Sequence, residues 1–163
     1  EIGWVFNDPA FLILPRFNCS ILIFSLTYGS LLLYFLLERK KPLFITKLNL
    51  SYALLLIFRM VTISLVPLTE PDDLIYLQDP FLNDLIYPRR IVSDLFFSGH
   101  TALLFLFFCI SKRRIFVVLT VIMGVLLMIQ RVHYSIDVIA AIPFAFTIVK
   151  VIDWGMNRLK IED

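Results

Sequence analysis

The chain has 163 residues, 60% hydrophobic and only 17% charged, with a formal net charge of +2 and a mean hydropathy of +0.87. Soluble globular domains give about a quarter of their residues to charge, so this composition argues against an ordinary water-exposed domain and points to an integral membrane protein. The small net charge carries no signature of nucleic acid, and no Gly/Ser-rich or Pro-rich linker divides the sequence, so residues 1–163 are expected to form one membrane-embedded domain.

In chain order, residues 1–17 hold Trp4, Phe6, Phe11 and Pro15 in a short amphipathic stretch, expected along the outer interface or as the remnant of a longer chain. There is no basic end followed by an apolar run and a cleavage site, so no secretory signal is read. Runs of about 20 apolar residues cross a bilayer. Residues 19–37 and 50–68 meet that measure, and 95–110, 115–130 and 136–152 are shorter but apolar all round. The expected fold is all-α, a polytopic transmembrane bundle with five spans. The competing reading makes the three shorter segments core helices of a soluble protein, which leaves very little charged surface to face water. Arg59 falls in the middle of the second predicted span, where a charge costs about 3 kcal/mol even on the lenient insertion scale.

Basic residues orient this bundle. Arg39, Lys40, Lys41 and Lys47 follow the first span, Lys112, Arg113 and Arg114 follow the third, and Lys150, Arg158 and Lys160 close the chain. With five alternating spans these segments share one side, which the positive-inside rule makes cytoplasmic. The connection 69–94 then lies outside and is acidic, with Glu70, Asp72, Asp73, Asp79 and Asp84 against Arg89 and Arg90. Cys19 and Cys109 fall at opposite ends of their spans, about one hydrocarbon thickness apart, and no disulfide is expected.

Chemistry concentrates in two short stretches that contain both histidines of the chain, Ser98-Gly99-His100-Thr101 and His133-Tyr134-Ser135-Ile136-Asp137. On a helix the His133 and Asp137 side chains, four residues apart, would share a face. In the predicted topology His100, His133 and Asp137 all reach the extracytoplasmic ends of their spans, a placement the charge count did not require. Each residue has a duller reading beside this one. A histidine near an interface can be a polar anchor, and a His/His/Asp set can ligate zinc. Arg59 either binds phosphate or pairs with an acid in the bundle, and Asp94 either orients His100 or Arg131 or merely caps the third helix. The 16 Phe and 6 Tyr are better explained by lipid-facing surface than by a choline cage.

Asp94 through Thr101 and His133 through Val138 resemble the two active-site motifs of the sphingomyelin synthase family, an aspartate, three residues and Ser-Gly-His-Thr, then His-Tyr-Thr-x-Asp-Val. That family is a branch of the phosphatidic acid phosphatase type two superfamily. The stretch RMVTISLVPLTEP from Arg59 is also similar to the family segment that precedes the outer loop, and the likeness covers about residues 50–150. Ser135 replaces the motif threonine, and Val92-Ser93 stand in place of a frequent Cys-Gly. The phosphatase branch's Arg-Pro motif is absent, and Leu127 occupies the position of its second arginine.

The resemblance implies six spans with both ends cytoplasmic, and hence a first helix missing before Glu1. It implies a lipid head-group phosphotransferase that works through a phosphohistidine, with no metal and no cofactor. In that scheme His133 is the nucleophile, Asp137 fixes its tautomer, and His100 is general acid and then base. Ser98 and Gly99 turn helix-start N–H groups toward the phosphate, with Arg131, Arg59 and Asp94 as further binding residues. The partners are a phospholipid and a lipid alcohol acceptor. A lipid phosphatase is the alternative within the enzyme class, and a non-catalytic transporter or lipid-binding subunit is the alternative outside it.

Overall fold

The computed structural model of the protein describes residues 6–66, 68–71, 73–80 and 96–160. Among them are six helices: α1 (Ala10–Ile13), α2 (Ser20–Glu38), α3 (Pro42–Leu65), α4 (Gly99–Ser111), α5 (Ile115–Ile129) and α6 (Ser135–Arg158). The described residues contain no β-sheet, so the all-α expectation holds. Asp94, Asp84, Arg89 and Arg90 lie outside the described residues.

Three helices, α2, α3 and α6, are long and apolar enough to cross a membrane. The other two apolar helices are shorter. At 1.5 Å per residue, α4 is about 20 Å long and α5 about 22 Å, against a hydrocarbon core of about 30 Å. Their brevity has local causes. Ser98 starts α4 by accepting the Thr101 N–H on its hydroxyl at 3.3 Å, and Lys112, at φ 59°, ends it with its N–H on Phe108 O. The α5–α6 turn closes through Arg131, also at φ 59°, a conformation uncommon for a side chain larger than glycine.

The second expected span needs correction at both ends. Its helix begins at Pro42, not residue 50, and ends at Leu65. Proline suits a first helical turn because its missing N–H has no partner there anyway. Lys47, one of the four basic residues placed after the first span, instead lies within this helix and pairs with Asp153 of α6. With the helix so placed, Arg59 stands six residues from its end, about 9 Å along the axis, and not mid-span.

α4 is the inner helix and packs against α3, α5 and α6. Ala102, Leu104, Leu106 and Phe107 are fully buried. Ring contacts knit the core: Phe97 stacks on Phe144 at 4.6 Å, and Phe107 meets Tyr34 at 4.8 Å and Phe116 at 5.3 Å. The outward faces are also apolar. Ile57 and Met60 of α3, Val118 and Val121 of α5, and Ile139 and Trp154 of α6 are all exposed. A water-soluble helix presents polar residues on that face, so an apolar surround is the medium that suits this bundle.

The two ends differ in chemistry. At one end Glu38, fully buried, accepts from Arg113 Nε at 2.6 Å and pairs with Lys41 at 3.2 Å. The basic α2–α3 and α4–α5 connections therefore meet at the same end, as their charge pattern predicted. Cys19 and Cys109 are both free.

Candidate functional site at the opposite end of the bundle

The polar residues of the other end gather around the starts of α4 and α6. Ser98 N–H donates to Asp137 O at 3.1 Å, so the two motifs singled out in the sequence are joined by a backbone hydrogen bond. The Ser98 hydroxyl also accepts from Thr101 Oγ1 at 3.0 Å. Thr101 and Ala102 donate their N–H groups to Ser98, while those of Gly99 and His100 belong to the helix end, where intrahelical acceptors do not exist. His100 is the second residue of α4, as expected. Its ring meets Phe24 edge-on at 5.8 Å, and His133, Arg59 and Asp79 lie close enough to act on it electrostatically.

Arg59 reaches this cluster from α3. A Cβ built on Gly99 would run into the Arg59 guanidinium, so glycine is what lets the cation approach the α4 start. The long loop from α3 adds Asp79, which accepts from Tyr28 Oη at 2.5 Å.

His133 Nδ1 lies 3.6 Å from Asp137 Oδ2, with both side chains buried. The two side chains face each other at a separation too long for a hydrogen bond. The pairing was expected, but its geometric reason was not. α6 begins at Ser135, so His133 sits two residues before the helix and the shared-face argument does not apply. Asp137 instead folds back over the helix start and accepts the Tyr134 N–H at 3.0 Å, the acidic half of a capping box.

Arg131 divides its guanidinium between two tasks. Nη2 donates to Phe11 O at 2.7 Å and Leu14 O at 3.0 Å, and the Phe11 ring lies 4.1 Å from Cζ. Nε and Nη1 are buried and have no hydrogen-bond partner among the described residues. His133 Nδ1 and Asp137 Oδ1 share that condition. A buried polar atom left without a partner costs about 1–3 kcal/mol, and half of the eight such atoms among the described residues belong to Arg131, His133 and Asp137, which calls for a functional account. Among the described residues no group of three His, Cys, Asp or Glu side chains is disposed to hold a metal ion.

Several participants escaped the sequence. Asp8 is buried and accepts from Ala10 N–H at 2.9 Å and from Ser135 N–H. Gln130 ties three segments together, donating to Ser20 Oγ at 2.8 Å and to Tyr76 O at 3.3 Å while accepting from Cys19 N–H at 2.8 Å. Asp8-Pro9 is a turn signal that could have marked a local cap, but nothing local announces a partner 127 residues away. Leu127 is fully buried in the apolar core. A groove of about 590 Å³ runs beside Asp79, between residues 18–22 and 78–80, and is lined by neither histidine.

The chain matches no protein-family model, no curated protein and no solved structure.

Proposed function

We propose that the protein is a membrane-embedded phosphotransferase of the sphingomyelin synthase type, acting on phospholipid head groups through a phosphohistidine at His133. In this reading α2 to α6 are five spans, the Glu38 end is cytoplasmic, and the site at the α4 and α6 starts is extracytoplasmic. The observation that carries the proposal is the set of buried, unpartnered atoms at that site. Arg131 Nε and Nη1 are cationic donors, and His133 Nδ1 faces a carboxylate, the complement that a phosphoryl group and an attacking imidazole require.

The placement supports the following chemistry. With Nδ1 turned to Asp137, Nε2 of neutral His133 is the nitrogen that attacks phosphorus. The N–P bond forms as the P–O bond to diacylglycerol breaks, and His100 gives its proton to the departing alkoxide. Asp137 balances the positive charge on His133. Arg131, Arg59 and the α4 N–H groups of Gly99 and His100 carry the charge on the phosphoryl oxygens. In the second step His100 takes the proton of an acceptor hydroxyl, whose oxygen displaces His133 from phosphorus.

A phosphodiester carries one fewer charge than a fully ionised monoester and requires fewer cations. Leu127 in the apolar core in place of an arginine favours a diester donor. The test uses the full chain in nanodiscs with labelled phosphatidylcholine, phosphatidylethanolamine or phosphatidic acid, with and without ceramide or diacylglycerol. Head-group transfer from a diester is expected. Phosphate release from phosphatidic acid alone would move the protein to the lipid phosphatases, and no turnover on any donor would favour a transporter or lipid-binding subunit.

A further inference from the structure

The start of α6 is capped locally only in part, by Asp137, which folds back to accept the Tyr134 N–H at 3.0 Å. The phenol of its N-cap residue, Tyr134, donates to Thr69 O at 3.1 Å. Ser135 N–H is one of the helix-end donors that need an outside acceptor. Asp8 Oδ2 supplies it from a separate segment, while Asp8 Oδ1 accepts Ala10 N–H and fixes the turn into α1. The same segment grips the motif on either side of that bond. Phe6 and Phe11 flank the Tyr134 ring at 5.7 and 5.6 Å, and Arg131 holds the carbonyls of Phe11 and Leu14.

Residues 131–137 are therefore fastened from two directions, to α4 through Ser98 N–H and Asp137 O and to the N-terminal segment through Asp8. His133 lies between these fastenings in non-helical backbone, where no helix ladder fixes its orientation. We propose that Asp8 is a positioning residue that sets the His133 ring against Asp137 by capping α6 in trans. Its catalytic consequence rests on the phosphotransferase reading. The geometric claim does not.

Asp8→Ala removes both acceptors, and Asp8→Asn keeps one carbonyl oxygen. Misplacing a reacting group by about 1 Å costs on the order of 100-fold, so Asp8→Ala is expected to lower kcat for head-group transfer about 10- to 100-fold. KM should change little, and Asp8→Asn should recover part of the loss. A readout independent of turnover is the rate of His133 carbethoxylation by diethylpyrocarbonate, together with amide exchange at Ser135, in the full chain in nanodiscs. Both should rise in Asp8→Ala and less in Asp8→Asn. If His133 reactivity and Ser135 exchange match wild type in both variants, the positioning role is overturned, whatever the activity. If they rise while wild type turns over no phospholipid, the positioning role stands and the phosphotransferase reading fails. Should Asp8→Ala not fold, Asp8→Asn decides by the same two rates. Activity loss that tracks only the loss of folded protein, with kcat per folded molecule unchanged, also overturns the proposal.

Discussion

Gly99→Ala separates stability from function at the α4 start. The new methyl group would occupy space now held by the Arg59 guanidinium, and the obstacle is the far end of a flexible side chain, so Arg59 can swing away without moving backbone. Alanine also gains up to about 1 kcal/mol over glycine in a helix interior, and less at a first position. Folding stability should therefore stay within about 1 kcal/mol of wild type. The displaced cation is a different matter. A hydrogen bond to a charged group contributes about 1.5–3 kcal/mol, which at 1.36 kcal/mol per decade corresponds to about 10- to 150-fold in rate. The assay pairs thermal unfolding in nanodiscs with head-group transfer rates for Gly99→Ala, Arg59→Gln and the double variant. The two changes act on one guanidinium, so the double variant should be no slower than Arg59→Gln alone. Full additivity, or a Gly99→Ala protein as fast as wild type, would refute the placement of Arg59 at the phosphate.

Other expectations concern the bundle that holds the site. A Cβ on Gly124 of α5 would lie 2.6 Å from Val138 Cγ1 of α6; Gly124→Ala should destabilise by about 1–3 kcal/mol through overpacking, with Val138→Ala restoring part of the loss in an unfolding assay. Glu38→Gln removes the charge that binds Arg113 and Lys41, but both cations are partly exposed, so a loss of about 1–3 kcal/mol is expected, below the full value for breaking a buried pair. Cysteines at exposed Asp73 and Arg114, in a background without Cys19 and Cys109, should respond oppositely to an impermeant thiol reagent on intact cells. Labelling at 73 alone is predicted, and labelling at 114 alone would invert the topology.

Helix existence was readable wherever apolar runs were uninterrupted: the expected 19–37 and 115–130 differ by one residue from α2 and α5 at each discrepant end. Boundaries failed where charge misled. Lys47 was grouped with Arg39, Lys40 and Lys41 after the first span, yet it lies within α3 and its partner Asp153 is on the neighbouring helix. α6 likewise runs past residue 152 to Arg158, since Asp153 is paired and Arg158 covers the Trp154 ring at 5.1 Å. For the site, motif spacing brought the right segments together but assigned the wrong local geometry to His133. Asp8 was invisible because tertiary capping depends on where a distant segment folds back, which no local periodicity encodes. Arg131 was legible as a cation, not as the clasp that holds the N-terminal segment.

The most direct measurement is covalent trapping. The full chain in nanodiscs is incubated with phosphatidylcholine labelled at phosphorus, quenched at alkaline pH, and mapped for an acid-labile phosphoryl adduct by mass spectrometry. The expected adduct on His133 carries the choline head group, is absent in His133→Ala, forms slowly in Asp137→Asn, and forms about 10²–10⁴-fold more slowly in His100→Ala. Turnover of phosphatidylcholine that persists in His133→Ala, or an adduct on any other residue, would contradict it.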